Sequence, residues 1–191
     1  ALNKVRNKAT KLYPNYAKDV RQHDRWFKYW HDFAEKNLYG IEISEQISRA
    51  AKMNMIIHDD GHTNVITSDG LVSDETIIAK TNNQGFKYGT FDFIITNPPF
   101  GSTVRQSEQA YLKTYLLGKK EEDWLAIKST TAGNRDSQST EVLFIEQDYK
   151  FLREGGYLAI VLPDGILTNS SLQYVRTQIE DWFRIVAVVS M

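Results

Sequence analysis

Residues 91–101, which read FDFIITNPPFG, constrain the fold of this chain more than any other stretch. Apart from Asp92, the first six are aromatic or β-branched, as expected for a strand in the interior of a sheet. The following Asn97-Pro98-Pro99-Phe100 cannot continue that strand, because proline lacks a backbone N–H and has a fixed φ. The chain must therefore leave the sheet at Asn97. Ligands bind at the carboxyl ends of strands in α/β sheets, so this break, the NPPF turn (residues 97–100), is a candidate site.

Helical and strand patterns alternate along the chain and predict an α/β fold. Apolar residues at helical spacing predict helices over residues 2–16, 20–34, 44–55, 142–152 and 172–182. Apolar runs predict strands over residues 39–43, 64–67, 91–96, 157–162 and 185–189. Because several of these runs are apolar without alternation, we predict a mostly parallel sheet with helices on both faces. Gly155-Gly156 should end the fourth helix, and residues 73–90 read as an irregular surface connection.

The length of 191 residues predicts a single domain over residues 1–191. Within it, residues 102–140 are polar and form a long loop insertion with room for a short helix near residues 108–117. Loops of this length are usually lids, binding loops or disordered linkers. Its basic residues alternate with acidic ones, so a solvated loop and a contact with DNA phosphates are both open readings. These basic residues are Arg105, Lys113, Lys119, Lys120 and Lys128.

The composition restricts the setting in which the chain works. A formal net charge of -1 gives no general attraction to nucleic acid, so any such contact must be local. The absence of cysteine excludes disulfides and thiolate metal sites and fits a reducing cytoplasm. No apolar run is long enough to span a membrane. The chain starts without Met and already in helical phase, so we expect a piece of a longer protein.

Three polar residues fall at the carboxyl ends of predicted strands: Glu42, Asp69 and Asn97. Glu42 is placed to accept hydrogen bonds from ribose hydroxyls, or else it is an acid favoured at the start of a helix. Asp69 could accept from an exocyclic amine, although Asp before Gly70 is first of all a turn signal. His58 and His62 lie four residues apart, but Gly61 argues against a helix that presents both, so we predict a turn and no metal site.

The NPPF turn offers two hydrogen-bond acceptors and an aromatic ring. An amino group on a heteroaromatic ring is a poor nucleophile, because its lone pair is delocalised. The Asn97 side-chain oxygen and the Pro98 carbonyl could hold the amine hydrogens out of the ring plane and stabilise positive charge on nitrogen. Pro98 and Pro99 stiffen the turn, and Phe100 offers a face on which a flipped base can stack. The alternative is a strand-ending turn with a core phenylalanine.

These residues resemble the catalytic motif of S-adenosylmethionine-dependent amino methyltransferases, above all the N6-adenine DNA methyltransferases. Over residues 38–191 the chain is similar to the modification subunit of type I restriction-modification systems, through YGIEI, AAKMNMIIH, FDFIITNPPFG and STEVLFIEQDYKFLREGGYLAIVLPDGIL. The resemblance implies a Rossmann-like methyltransferase fold, incomplete at the N-terminus. It also implies methyl transfer from S-adenosylmethionine to N6 of an adenine flipped out of duplex DNA, with specificity and endonuclease subunits as partners.

The resemblance assigns a role to each matching residue. Glu42 would bind the cofactor ribose, Ile43 would pack against its adenine, and Asp69 with Leu71 would define the adenine pocket. The residues implied to bind the cofactor are Glu42, Ile43, Asp69, Gly70, Leu71 and Asn97. Those implied to hold and activate the target adenine are Asn97, Pro98, Pro99 and Phe100.

The glycine-rich cofactor loop of the family would precede Ala1 and is missing from the sequence. One alternative follows from this departure: a catalytically inert fragment that serves as a structural or interaction piece of a larger assembly. Titration with S-adenosylmethionine would distinguish it from an enzyme. A second alternative keeps the chemistry and changes the acceptor to an amino group of RNA or of a protein glutamine.

Overall fold

The computed structural model describes residues 2–58, 64–105, 107, 109–120 and 133–190. The chain forms two compact units. The first spans Ala1–Gly70 and Glu75–Phe86, and the second spans Leu71–Asp74 and Lys87–Met191. The organisation of residues 1–191 as a single domain stays a prediction. In the described ranges, no helix combines the length and the apolar character that a membrane crossing requires.

The first unit begins with two helices where the apolar spacing predicts them, α1 (Leu2–Leu12) and α2 (Val20–Asn37). The Asp19 side chain accepts a hydrogen bond from the Arg21 N–H and so caps the start of α2. The buried Trp30 anchors this pair, and the Arg6 guanidinium lies 4.0 Å from the centre of its ring.

The predicted strand–helix–strand unit is confirmed as β1 (Gly40–Glu42), α3 (Glu45–Ile57) and β2 (Val65–Thr67). The Ser44 hydroxyl accepts from the Ile47 N–H and starts α3. The strands pair in parallel, with Glu42 opposite Thr67, so their carboxyl ends share one edge. Of the predicted turn over residues 58–62, only His58, at the end of α3, belongs to the described residues.

The prediction of an irregular connection over residues 73–90 is wrong, because α4 (Asp74–Thr81) lies there. The helix buries Ile77 completely, and Phe86 packs edge-on against Tyr39 with 5.1 Å between ring centres. Polar residues surround Ile77 and Phe86, so the average polarity of the segment predicted a loop and not a helix.

In the second unit, β3 (Phe91–Thr96) forms as predicted, and the segment after it holds more than a loop. It contains β4 (Thr103–Arg105), a 3₁₀ helix (Ala110–Thr114), β5 (Lys119–Lys120), β6 (Gly133–Asn134) and β7 (Ser137–Ser139). β4 pairs with β7 and β5 with β6, both antiparallel. The predicted short helix is thus the 3₁₀ helix. Residues 121–132 lie outside the described part of the chain.

Next come α5 (Thr140–Phe151) and β8 (Leu152–Ile160). The helix forms as predicted, but the expected end at Gly155-Gly156 is wrong, because α5 already stops at Phe151. The glycines instead lie within β8, where its parallel pairing with β3 shifts register between Phe91 and Phe93. Gly155 adopts a φ of 72°, a conformation that favours glycine.

The unit closes with α6 (Asp164–Thr168), a 3₁₀ turn (Ser170–Leu172) and α7 (Gln173–Trp182). One core cluster consists of Leu117, Val142, Ile145, Ile166, Tyr174 and Val175. The prediction of a strand over residues 185–189 is wrong: these residues are neither helix nor strand, and Val186 and Val189 are exposed. β-branched residues favour a strand, but a strand also needs a hydrogen-bonded neighbour, and none of the described strands pairs with this segment.

The mixed α/β class and the presence of parallel strands are confirmed, whereas one mostly parallel, Rossmann-like sheet stays a prediction. The described strands form four two-stranded sheets, β1-β2, β3-β8, β4-β7 and β5-β6, of which the first two are parallel. The expectation of helices on both faces fails for β3-β8. Its residues Phe93, Ile95 and Tyr157 are 69%, 87% and 61% exposed. An apolar strand sequence indicates that both faces of the strand can be buried, but it does not specify which segment packs against each face.

Candidate functional site

The NPPF turn begins directly after β3, at the carboxyl edge of the β3-β8 pair. The last pair in the register joins Thr96 to Ile160, and the Val161 N–H donates to the Thr96 carbonyl at 3.1 Å. Asn97 is exposed and Pro98 is buried. The turn therefore has one proline packed into the unit and presents the neighbouring amide outward.

Local hydrogen bonding leaves the Asn97 amide unused. Elsewhere in the chain, Asn83 and Asn169 accept from the backbone N–H two residues later, at Gly85 and Ser171, both at 3.0 Å. Such turns are the usual use of asparagine in a loop. Two residues after Asn97 stands Pro99, which has no N–H, and no described residue bonds to the Asn97 side chain. The sequence thus blocks the turn that would otherwise occupy this amide.

The C-terminal end of the NPPF turn is also fixed by hydrogen bonds. Gly101 takes a φ of 72°, which redirects the chain into β4. The Thr140 N–H, at the start of α5, donates to the Ser102 carbonyl at 3.0 Å. Strand pairing then places Thr103 opposite Ser139. Both ends of the NPPF turn are therefore fixed to regular structure, and the Phe100 ring between them is 48% exposed.

In the first unit, Glu42 and Asp69 follow neighbouring strand ends, as predicted. Glu42 ends β1, and Asp69 comes two residues after the end of β2. The Ser68 N–H donates to the Glu42 carbonyl at 3.1 Å, which extends the pairing towards Asp69. The Glu42 Oε1 accepts from the Ser44 N–H at 2.8 Å, so one carboxylate oxygen already makes a hydrogen bond in the turn into α3.

The remaining residues implied to bind the cofactor differ in exposure. Ile43 is 72% exposed, next to Glu42 at the end of β1. Leu71 is buried in the second unit, in a cluster with Leu112, Tyr115 and Leu143. The structure thus brings Glu42 and Asp69 to one sheet edge in the first unit, whereas Leu71 and the NPPF turn belong to the second.

Helix α5 carries a group of buried polar residues that no sequence motif indicates. Glu146 is buried, and its carboxylate accepts from the N–H groups of Leu116 and Leu117 at 2.9 and 2.8 Å. The Lys150 ammonium lies 2.8 Å from the same carboxylate and 3.9 Å from the centre of the Tyr115 ring. A run of polar residues inside the apolar helix pattern FIEQDYKF was the available signal, since buried carboxylates need partners.

Asp148, on the same helix, has a different environment. It is buried, and no described residue donates a hydrogen bond to its Oδ2. Burial raises the pKa of this carboxyl to about 7, because removal from water penalises the charged form. Burial likewise raises the pKa of the Tyr88 phenol above its ordinary value.

One group of side chains could offer metal ligands among the described residues: His31, Asp32 and Glu35 on α2. Their ligand atoms lie within 4.8 Å of one another. His31 is 3.8 Å from Glu35, and the Lys36 ammonium is 3.6 Å from Asp32. A cation already neutralises one of the acids, so we assign no metal site here.

Chemically, the NPPF turn is an acceptor site for hydrogen-bond donors with a ring beside it. An exposed amide oxygen, a carbonyl held by two prolines and a half-exposed phenylalanine suit a flat heteroaromatic ring that carries an amino group.

The chain is similar in sequence to known proteins. The type II restriction enzyme and methyltransferase RM.BcgI of Heyndrickxia coagulans is 26% identical over 140 residues, which are 73% of this chain and 16% of that protein. The type II methyltransferase M.VspI of Vibrio sp. (strain 343) is 28% identical over 147 residues, 75% of this chain and 29% of that protein. The chain thus spans less than a third of either relative. The family model described as N-6 DNA Methylase matches residues 16–191, so the chain belongs to the N-6 DNA methylase family.

Proposed function

We propose that this chain carries the acceptor loop and part of the cofactor site of an S-adenosylmethionine-dependent enzyme that methylates N6 of adenine in duplex DNA. The observation that carries the proposal is the unused Asn97 amide in a turn stiffened by Pro98 and Pro99. Membership of the N-6 DNA methylase family supports the choice of acceptor.

The turn acts on the amino nitrogen of a flipped adenine. The Asn97 Oδ1 and the Pro98 carbonyl accept the two N6 hydrogens, which turns the nitrogen lone pair out of conjugation with the ring. The same oxygens stabilise the positive charge that develops on N6 as its new bond forms. Phe100 stacks on the base and holds it at the turn. Because the turn is fixed at both ends, these acceptors need little reorganisation during the reaction.

The strand ends of the first unit have the groups that the cofactor requires. When bound, S-adenosylmethionine would supply a methyl group from its positively charged sulfur: the new C–N bond would form as the C–S bond breaks, the sulfur would leave as a neutral thioether, and N6 would release one proton to solvent. The Glu42 carboxylate would accept from the ribose hydroxyls, and Asp69 from the adenine amine. The exposed Ile43 fits this assignment, because a purine ring would cover an apolar side chain that otherwise faces water.

The system that contains the enzyme is a further part of the proposal. The sequence resemblance points to the modification subunit of a type I system, with separate specificity and endonuclease subunits. Both relatives are named as type II proteins. Co-purification of a separate specificity subunit with the complete protein supports type I, whereas sequence-specific methylation without such a subunit supports type II.

Replacement of Asn97 in the complete protein tests the role of the turn. We expect Asn97→Ala to lower methyl transfer to DNA by about 100-fold or more, the usual loss when a preorganised polar group is removed from a transition state. Asn97→Asp should retain more activity than Asn97→Ala, because a carboxylate oxygen also accepts hydrogen bonds. Initial rates with tritiated S-adenosylmethionine measure both effects.

Asn54→Ala is the matched control, since Asn54 is an exposed asparagine on α3. It should keep the wild-type rate. Calorimetric titration with S-adenosylmethionine shows whether each variant still binds the cofactor. Full activity of Asn97→Ala would exclude the proposed role of the turn.

A further inference from the structure

A buried hydrogen-bond cluster connects α5 with residues 71–72, directly after the Asp69-Gly70 pair. The Tyr115 hydroxyl lies 2.7 Å from the Leu71 carbonyl and 2.7 Å from the Gln147 Oε1. The Gln147 Nε2 donates to the Val72 carbonyl at 2.9 Å. Tyr115 and Gln147 are each only 1% exposed. Two side chains that water does not reach therefore hold two consecutive backbone carbonyls.

The count of hydrogens shows how the cluster is satisfied. Gln147 must direct its Nε2 at the Val72 carbonyl, because only the nitrogen can donate. Its Oε1 then needs a donor, and the Tyr88 phenol supplies one at 3.2 Å. The single hydrogen of Tyr115 is shared between the Leu71 carbonyl and the Gln147 Oε1, which each lie 2.7 Å from the hydroxyl oxygen. Burial keeps the Tyr88 phenol protonated by raising its pKa.

Packing reinforces the same attachment. The Leu71 side chain is buried against Leu112, Tyr115 and Leu143, so this residue is held through both its side chain and its carbonyl. Lys150 lies over the Tyr115 ring and is paired with Glu146, which restricts the orientation of the phenol. Loss of the phenol hydroxyl would leave a carbonyl at a buried residue without this donor, a costly arrangement.

We propose that Tyr115 and Gln147 are positioning residues, which hold the backbone of Leu71 and Val72 so that this segment is preformed before S-adenosylmethionine binds. This inference rests on the proposed function, because it assumes that this segment binds the cofactor. Neither residue touches the reacting atoms. Their effect is therefore on cofactor affinity and not on the rate of methyl transfer.

Tyr115→Phe in the complete protein removes only the hydroxyl group. We expect the KM for S-adenosylmethionine and the Kd from calorimetric titration to rise about 5- to 20-fold, the effect of one lost buried hydrogen bond. The kcat at saturating cofactor should stay within about twofold of wild type. Gln147→Met, which keeps the side-chain length but removes both polar atoms, should act in the same direction.

Tyr174→Phe is the matched control. Tyr174 is also a buried tyrosine of the second unit, and its hydroxyl accepts from the Gln138 Nε2 at 2.8 Å. This variant loses a comparable hydrogen bond away from residues 71–72, so it should lower the unfolding temperature without changing the KM for the cofactor. An equal rise in KM for Tyr115→Phe and Tyr174→Phe would overturn the proposal, because it would indicate general loosening of the unit.

A measurement on the wild-type protein covers the case in which the variants do not fold. Hydrogen–deuterium exchange at residues 71–74 should be slow before S-adenosylmethionine is added and change little afterwards. Fast exchange that slows only with cofactor would refute preformation.

The outcomes also separate the two hypotheses. A wild-type protein that does not bind S-adenosylmethionine contradicts the proposed function, whereas a binding wild type with an unchanged Tyr115→Phe variant contradicts only the positioning role.

Discussion

At the scale of single residues, the identity of Pro99 is as important as that of Asn97. Asparagine in a loop normally bonds to the backbone N–H two residues later, as Asn83 and Asn169 do in this chain. Proline at that position removes the N–H, so the Asn97 oxygen keeps its full capacity for a ligand. The two prolines thus stiffen the turn and also prevent the asparagine from serving as a local cap.

Pro99→Ala tests this argument. The new N–H can capture the Asn97 Oδ1, and a net hydrogen bond of about 0.5–1.5 kcal/mol would lower kcat roughly 2- to 10-fold through competition. Pro99 is exposed, so the fold should tolerate the change. Steady-state methylation rates measure the loss, with Pro14→Ala, beyond the end of α1, as the control for a proline removed elsewhere. An unchanged kcat for Pro99→Ala would show that the absence of the N–H is irrelevant.

At the scale of elements, α5 is the common support of the second unit. Its first N–H holds the Ser102 carbonyl beyond the NPPF turn, its Glu146 holds Leu116 and Leu117, and its Gln147 holds Val72. Such a helix must carry polar groups inside the unit, and each one that lacks a partner lowers stability. Asp148 is the clearest case, because it is buried on α5 and one of its carboxylate oxygens bonds to no residue that the structure describes.

The raised pKa of Asp148 predicts a pH dependence of stability. Its value of about 7 in the folded protein exceeds the ordinary value of 3.8, so between these pH values the folded state binds a proton that the unfolded state has released. The contribution of this group to the free energy of unfolding therefore falls as pH rises from about 4 to about 7 and stays low above that. Asp148→Asn should remove this fall and stabilise the protein at pH 8 by up to about 4 kcal/mol, at 1.36 kcal/mol per pKa unit.

Thermal unfolding of the wild type and of Asp148→Asn at pH 5 and pH 8 measures the effect. The difference in unfolding temperature should be clearly smaller at pH 5 than at pH 8. Asp136→Asn, an exposed aspartate of the same unit, controls for the loss of a negative charge. The same difference at both pH values would mean that Asp148 does not titrate in this range.

At the scale of the whole molecule, local patterns predicted the elements better than their partners. Apolar spacing located α1, α2, α3, α5 and α7, and apolar runs located β1, β2, β3 and the second half of β8. Helix α4 was not predicted, because its apolar face consists only of Ile77 and its neighbours and the rest of the helix is polar. The strand expected over residues 185–189 failed because its pairing depends on a neighbour that local sequence does not specify.

The same limit applies to the candidate site. The NPPF turn was predictable, since proline chemistry acts over two or three residues. The contacts of Tyr115 and Gln147 were not, because they join residues 44 and 75 positions apart in the chain. Phe93, Ile95 and Tyr157 are likewise apolar but exposed, and the spacing of apolar residues does not predict which segment would pack against them.

The position of the transferred methyl group distinguishes the proposed methylation of adenine N6 in DNA from methylation of any other acceptor. The complete protein is incubated with unmethylated genomic DNA and S-adenosylmethionine that carries a deuterated methyl group, and the DNA nucleosides are then analysed by mass spectrometry. We expect labelled N6-methyldeoxyadenosine with the wild-type protein and almost none with Asn97→Ala. Label in cytosine, label only in RNA or protein, or equal label with both proteins would contradict it.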